Sequence, residues 1–310
     1  MDGHGAGEPI AIVGPTASGK SALALAVAEA VDGIEIVAVD AMQVYRRMDI
    51  GTAKPSASDR AVRRHHGIDL VEPSETFAVP QYVCEYDRAL ADIGRRGCRA
   101  LLVAGTGLYL RAAVDRLQTP GEWLEVRAKL DDELAEDPTA LASMYVRLAA
   151  LDPVAASRIE PANRRRIVRA LEVCLGSGRP FSSFGPGLDS YPPSAVVQVG
   201  LRWSRPALAE RIRGRMQNMI DSGFLDEVRS LSGPGQLSRT ASQALGYKEL
   251  LDHVNGHASL AEAIDTTILR TRQYAVRQER WFRRDPRITW VDVTADPLEA
   301  MQIIVQVLAA

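Results

Sequence analysis

The glycine-rich segment from Gly14 to Ser21 contains the residue types that bind a phosphate group. It reads Gly-Pro-Thr-Ala-Ser-Gly-Lys-Ser, which matches the GxxxxGK[ST] pattern of a P-loop. In such a loop the glycines let the backbone N–H groups approach a phosphate, and the lysine reaches the phosphate oxygens. The serine hydroxyl can bind Mg²⁺. We therefore predict a polyphosphate site, with Lys20 on the anion and Ser21 on a magnesium ion.

The sequence around this loop predicts the strand and the helix that a P-loop requires. Ile10 to Val13 is an apolar run typical of a buried parallel strand, and Ser21 is followed by an alanine- and leucine-rich helix former. The helix N-terminus adds unpaired N–H groups and a partial positive charge. A glycine turn that merely caps a helix is the alternative. The bound group could be a nucleotide or another diphosphate, so the loop alone does not identify the reaction.

Two further polar side chains follow predicted strands. Asp40 comes directly after the apolar segment 34–39, and Thr106 follows the apolar segment 99–104 across a glycine. Because ligands in such sheets bind beyond the carboxyl ends of the strands, we expect both side chains near the P-loop. A carboxylate there could accept a proton or hold Mg²⁺ through water. Either side chain could instead cap the segment that follows it.

The bulk composition is that of an ordinary globular protein. Hydrophobic residues make up 46% of the 310 residues, charged residues 25%, and the net charge is −2, so there is no global basic field. Arginine supplies 33 of the 37 basic residues, and five arginines cluster between Arg158 and Arg169. This cluster is either a solvated face or a surface that contacts a nucleic-acid backbone.

Cysteine usage and hydropathy predict the compartment. Cys84, Cys98 and Cys174 are far apart and form no CxxC pair, which argues against a disulfide scaffold or a zinc module. Reduced thiols favour a cytoplasmic location. The first residues lack the basic and apolar regions of a signal peptide, and no apolar run approaches the roughly 18 residues of a membrane span. We expect no membrane partner and a monomer.

The pattern along the chain predicts an α/β fold, with a P-loop-containing parallel sheet flanked by helices and interrupted by a helical insertion domain. The predicted parts are the first part of the core at 1–119, the insertion at 120–195, and the second part of the core at 196–310. Five strands are expected in the sheet.

Three long helices are predicted at 77–97, 206–231 and 259–284. Tyr82 and Tyr86 lie at helical spacing in the first of these helices and are expected in the core. His65 and His66 fall in a polar connection, where we expect a structural or surface role rather than a metal site.

With these pieces assembled, the sequence resembles the tRNA dimethylallyltransferase family, bacterial type. The resemblance rests on motifs that occur in the family's order over most of the chain. They are the P-loop, the segment Asp40-Ala-Met-Gln-Val-Tyr-Arg-Arg-Met-Asp-Ile-Gly-Thr-Ala-Lys-Pro, His65-His66-Gly-Ile-Asp-Leu, Gly105-Thr106-Gly-Leu-Tyr, Arg165-Arg166-Ile-Val-Arg169-Ala-Leu-Glu-Val and Leu245-Gly246-Tyr247-Lys248.

The resemblance implies transfer of a dimethylallyl group from dimethylallyl diphosphate to N6 of adenosine-37 in the anticodon loop of tRNA, with Mg²⁺. Asp40 matches the family's proposed general base, and Thr106 matches a position that contacts the adenosine. Lys20 would stabilise the leaving diphosphate. Arg215 aligns with an arginine on the diphosphate, although Arg211 and Arg213 lie close enough to be confused with it.

Further site residues follow from the same resemblance. The diphosphate-binding residues would be Gly14, Pro15, Thr16, Ala17, Ser18, Gly19, Lys20 and Ser21. The tRNA-binding residues would be Asp40, Ala41, Met42, Gln43, Thr106, Arg127, Arg165, Arg166, Ile167, Val168 and Arg169. Two positions depart from the family pattern: Ala41 replaces a common serine, which removes a hydroxyl near the base-binding loop, and Ala104 replaces a common glycine.

Three other functions fit parts of the sequence. A nucleotide-kinase-like enzyme would bind ATP at the P-loop and use the insertion as an arginine-bearing lid. A second alternative prenylates free adenine nucleotides rather than tRNA. A third is a P-loop binding module without catalysis, against which Asp40 beside the loop argues.

Overall fold

The structure, a computed structural model, describes residues 7–137, 139–185, 187–188 and 190–309. The chain divides into two units. One contains the residues up to Asp115 together with those from Pro193 onward, and the other runs from Arg116 to Pro192.

The first unit alternates strands and helices in its first half. These elements are β1 Ile10–Val13, α1 Lys20–Ala30, β2 Ile34–Val39, α2 Ala57–Val62, β3 His65–His66, α3 Val79–Arg95, β4 Arg99–Ala104 and α4 Gly107–Val114. The second unit contains α5 Leu124–Glu136, α6 Ala140–Leu151, α7 Pro153–Arg158 and α8 Arg164–Ser177. The first unit then resumes with β5 Val197–Trp203, α9 Arg205–Asp221, α10 Phe224–Ser230, α11 Tyr247–Val254, α12 Leu260–Phe282, β6 Ile288–Val293 and α13 Met301–Ala309.

The strands form one parallel sheet in the order β3-β2-β4-β1-β5-β6. All four residues of β1 are buried, as expected for a central strand covered on both faces by helices. The predicted α/β fold class is confirmed. Since β1, β2 and β4 are neighbours in this order, the segments that follow them emerge at the same edge of the sheet.

The predicted number of strands was wrong, because His65–His66 adds a sixth strand at the edge. It pairs with β2 through Ile36 and Val37. An edge strand needs backbone pairing rather than an apolar pattern, so the polar sequence did not reveal it. His66 nevertheless has the predicted structural role, since its Nε2 lies 2.7 Å from the Glu35 carboxylate. In the described part of the chain, no three His, Cys, Asp or Glu residues are grouped to hold a metal ion.

Two of the three predicted long helices are confirmed as α3 and α12. The third, 206–231, was wrong as a single helix because Gly223 adopts φ 94° and separates α9 from α10. This left-handed conformation favours glycine and cannot continue a helix. Tyr82 and Tyr86 are buried in the core, as predicted.

The second unit has its own apolar core, formed where its helices pack together. Its buried residues include Leu130, Leu134, Met144, Leu148, Ile167 and Leu171. None of the helices in the described ranges combines the length and apolar character required to cross a bilayer.

Candidate active site

The P-loop joins β1 to α1 and is shaped by packing around its glycines. Gly19 has φ 88°, and a Cβ there would lie 2.4 Å from Cγ of Pro297, so any side chain would both strain and clash. Trp203 Nε1 donates a hydrogen bond of 3.0 Å to the Ser18 carbonyl. No side chain caps the N-terminus of α1. The N–H groups of its first turn are therefore available to an anion.

The buried Lys20 and the half-buried Arg215 lie against this loop. Lys20 Nζ donates to the Pro15 carbonyl at 2.7 Å, and Arg215 Nη1 donates to Thr16 Oγ1 at 3.2 Å. Burial, reinforced by the charge of Arg215 and opposed by that of Asp40, lowers the pKa of Lys20 to about 7. Burial also lowers the pKa of Arg215. Two cations deprived of water favour the binding of an anion between them.

The structure separates the three candidate arginines on α9. Arg211 Nε donates to the Ala17 carbonyl at 2.8 Å, and its guanidinium stacks 4.3 Å from the Trp203 ring. Arg213 instead pairs with Glu210 at 2.6 Å in an exposed position. Arg215 and Arg211 thus contact the P-loop and Arg213 does not.

The lowered pKa of Lys20 predicts that diphosphate binding takes up protons. With a pKa of about 7, Lys20 is mostly neutral at about pH 8, and a bound diphosphate stabilises its charged form. Affinity is therefore expected to fall as pH rises through about 7. Calorimetry in buffers of different ionisation enthalpy measures the number of protons taken up on binding. The Lys20→Met variant gives the part of this number that comes from the ionisation of diphosphate itself. Equal uptake by both proteins would contradict the prediction.

Asp40 and Thr106 lie at the ends of β2 and β4, as the parallel topology requires. Asp40 Oδ1 accepts hydrogen bonds from the N–H groups of Met42 at 2.7 Å and Gln43 at 3.2 Å. Oδ1 therefore caps the segment that follows Asp40, as in the alternative prediction. The other oxygen, Oδ2, accepts no hydrogen bond from the described residues. Thr106 does not cap α4 with its side chain; its Oγ1 accepts from the Ala41 N–H at 3.2 Å. Asp40 thus keeps one oxygen for chemistry.

Gln278 is a site residue that the sequence analysis missed. Its Oε1 accepts a hydrogen bond from the Thr16 N–H at 2.8 Å, and its Nε2 donates to the Gly105 carbonyl at 2.8 Å. It is buried on α12, 262 residues from its partner in the P-loop. A glutamine in an arginine-rich helix carries no local signal of this role. Gln278 links the P-loop to the turn that contains Thr106.

Two cavities meet between these groups. A cavity of about 1040 Å³ is lined by Asp40, by Arg215 and by the P-loop residues Thr16, Ala17, Gly19, Lys20 and Ser21. A smaller pocket of about 320 Å³ shares Thr16, Asp40 and Arg215 with it. Its apolar lining includes Ile212, Met216, Met219, Phe224, Leu245 and Ile268. The arrangement suits a ligand with an anionic head and a small apolar group.

Comparison with known proteins identifies the family. The model of the family described as IPP transferase matches residues 43–285, and that described as isopentenyl transferase matches residues 8–67. A tRNA dimethylallyltransferase of Pseudarthrobacter chlorophenolicus is 48% identical over 91% of this chain and 93% of its own. The chain belongs to the tRNA dimethylallyltransferase family. The resemblance seen in the motifs is confirmed.

Other members of the family agree over nearly the whole chain. A tRNA dimethylallyltransferase of Salinispora tropica is 44% identical, covering 96% of this chain and 93% of its own. A solved tRNA isopentenylpyrophosphate transferase from Bacillus halodurans is 35% identical with a TM-score of 0.69, covering 97% of this chain and 95% of that chain. A solved eukaryotic dimethylallyltransferase described as acting on tRNA is 25% identical with a TM-score of 0.77, covering 97% and 78% of the two chains.

In this member of the family, the predicted tRNA-binding residues of the second unit fall into three groups. Arg165 and Arg166 are exposed in the first turn of α8. Arg127 and Arg169 are half-buried and pair with the buried Glu172 at 3.5 and 2.5 Å.

Ile167 and Val168 form the third group. Both lie in the core of the second unit, where they are almost fully buried. A side-chain contact with RNA is therefore not open to them. For the four arginines, RNA contact stays a prediction.

The donors near the P-loop fit the predicted magnesium ion. Ser21 is exposed in the first turn of α1 and lines the larger cavity together with Asp40. Their hydroxyl and carboxylate oxygens are hard donors of the type that Mg²⁺ prefers. Mg²⁺ commonly keeps water and binds substrate phosphates with only one or two protein ligands, so this small set is sufficient.

Proposed function

We propose that this protein transfers the dimethylallyl group of dimethylallyl diphosphate to N6 of adenosine-37 in the anticodon loop of tRNA. The observation that carries the proposal is the position of Asp40, whose free carboxylate oxygen lies where a cationic phosphate cavity meets an apolar pocket. A leaving diphosphate, a small apolar group and a proton acceptor are what this transfer requires. The family assignment gives the proposal its substrates.

The cations at the P-loop act on the leaving group. As the bond between the dimethylallyl C1 and oxygen breaks, negative charge builds on the diphosphate. Lys20, Arg215 and the N–H groups at the start of α1 stabilise that charge, and the two cations are themselves poorly hydrated. The apolar pocket beside Arg215 holds the five-carbon chain. In the proposed site these groups are fixed in place before the reaction begins.

Asp40 acts on the nucleophile. The exocyclic amine of adenine must lose a proton as its nitrogen bonds to C1, and Oδ2 of Asp40 accepts that proton while Oδ1 stays anchored to the Met42 and Gln43 N–H groups. Thr106 orients the segment by accepting from Ala41. To reach this site the adenine must leave its base stack, and the free energy required for unstacking is smallest in a loop.

The second unit supplies an RNA surface in this proposal. Arg164, Arg165 and Arg166 occupy the first turn of α8, where the helix dipole is already positive and three cations repel one another. Such an arrangement becomes favourable when a phosphate binds there. Arg127 and Arg169 extend the surface around Glu172.

A magnesium ion completes the proposed site. Ser21 would hold it, with Asp40 contacting it only through water, and it would neutralise charge on the diphosphate. The unpaired Cys84, Cys98 and Cys174 support a cytoplasmic location.

A transfer assay tests the function. Labelled dimethylallyl diphosphate with Mg²⁺ is offered to an anticodon stem-loop or to AMP, beside a measurement of ATP consumption. We expect label in the RNA alone. Label in AMP would make the protein a nucleotide prenyltransferase, and ATP consumption without label transfer would make it a kinase.

A further inference from the structure

A loop whose conformation was not predicted from the sequence runs along both cavities. Residues 49–54, here called loop 49–54, include Gly51 and Thr52 in the wall of the apolar pocket. Thr52 and Lys54 also line the larger cavity. The position of this loop therefore helps to determine the shape of both cavities.

One carboxylate holds the first half of this loop. Glu227 Oε2 accepts hydrogen bonds from the N–H groups of Asp49 at 2.9 Å and Ile50 at 2.8 Å. Its Oε1 accepts from the Gly51 N–H at 3.2 Å and from the Tyr247 hydroxyl. Burial and the neighbouring Glu227 charge raise the pKa of Tyr247, so its hydroxyl stays protonated and donates. Four donors from two distant segments thus converge on one half-buried side chain of α10.

The loop is packed closely where the carboxylate binds it. A Cβ at Gly51 would lie 2.3 Å from Cε2 of Phe224 and 2.4 Å from Cε2 of Tyr247, so no other residue fits without displacing the rings. Phe224 lies one turn before Glu227 on α10. Close packing and hydrogen bonding therefore both hold Gly51 in place.

The second half of the loop transmits this position towards Asp40. Gln43 Nε2 donates to the carbonyls of Thr52 and Ala53, each at 3.1 Å. The backbone N–H of Gln43 is one of the two donors on Asp40 Oδ1. Lys54 Nζ closes the loop by donating to the Tyr45 carbonyl and to Asp69, each at 2.7 Å. The contacts run continuously from Glu227 to the segment that follows Asp40.

We propose that Glu227 is a positioning residue for the acceptor side of the site, which holds loop 49–54 so that Gln43 and the turn after Asp40 meet the RNA in a fixed geometry. This inference rests on the proposed function. The contacts that Lys20 and Arg215 make with the P-loop are separate from those of Glu227 in the described structure. Loss of the Glu227 carboxylate is therefore expected to weaken the binding of RNA more than the binding of inorganic diphosphate at the P-loop.

The variant Glu227→Gln tests the proposal with little change of size. Whichever way its amide is oriented, one of the two oxygens becomes an NH₂ group and leaves two of the four donors without an acceptor. We expect kcat/KM for an anticodon stem-loop to fall about 10- to 100-fold, with KM for the RNA rising more than KM for dimethylallyl diphosphate. Tyr247→Phe removes one donor only and is expected to give a smaller change in the same direction.

Asp226→Asn is the matched control. It removes the same charge from the adjacent position of α10, where the side chain is 77% exposed and pairs only with Arg229 in the described structure. Separate titrations of fluorescent stem-loop and of inorganic diphosphate measure binding without turnover, so they test Glu227 even if wild-type protein transfers nothing and the proposed function fails. Weaker RNA binding with unchanged diphosphate binding supports positioning. A parallel loss of both, or behaviour equal to Asp226→Asn, would overturn it.

Discussion

We expect Asp40→Asn to lower the rate of dimethylallyl transfer by about 10²- to 10⁴-fold while diphosphate binding stays nearly intact. Asparagine keeps the oxygen that accepts from the Met42 and Gln43 N–H groups, at 2.7 and 3.2 Å in the structure. What it loses is the second oxygen, which in the proposed reaction takes the proton from N6. The change removes the base and preserves the turn.

Two measurements separate these effects. Calorimetry with inorganic diphosphate reports the P-loop, and single-turnover transfer to a stem-loop reports the chemistry. Asp40→Ala serves as the comparison. It removes the capping oxygen as well, so it is expected to weaken RNA binding in addition to lowering the rate of transfer. Because Asp40 favours the charged form of Lys20, a slight fall in diphosphate affinity is expected at about pH 8. Turnover by Asp40→Asn at the wild-type rate would refute the general-base role.

The parts of the site that the sequence predicted are those fixed by local chain geometry. A buried strand followed by GxxxxGK[ST] and a helix has one way to fold, so the position of Lys20 follows from its neighbours. Asp40 and Thr106 follow strands of one parallel sheet, and the shared direction of those strands brings their ends together. For these residues, a strand assignment was sufficient to predict proximity.

The parts that were missed depend on partners far along the chain. Gln278 reaches the P-loop across 262 residues, and Glu227 reaches Ile50 across 177. Neither contact leaves a pattern near the residue itself. The edge strand His65–His66 exists because β2 offers it a partner, and the break at Gly223 replaces a continuous helix that the apolar spacing favoured. In each case tertiary packing outweighed local preference.

Arg215→Gln is expected to lower kcat/KM for dimethylallyl diphosphate by about 10²- to 10³-fold, the cost of removing a preorganised donor from a developing charge. Arg215 is half-buried and donates to Thr16 Oγ1 at 3.2 Å, so its guanidinium lies beside the phosphate cavity. Arg215→Lys is expected to recover only part of the loss, because an ammonium is a point charge without the planar fork of arginine.

Arg213→Gln provides the control on the same helix. Arg213 is 55% exposed and pairs with Glu210, and an exposed pair of this kind contributes about 0–1 kcal/mol. We expect the kcat/KM of Arg213→Gln to stay within about twofold of wild type, whereas substitution of Arg215 on the same helix lowers it. Steady-state kinetics with saturating stem-loop compares the two variants directly. If Arg213→Gln were the slower enzyme, the diphosphate would have to approach α9 from its solvent face, and the assignment of the P-loop cavity to the leaving group would fail with it.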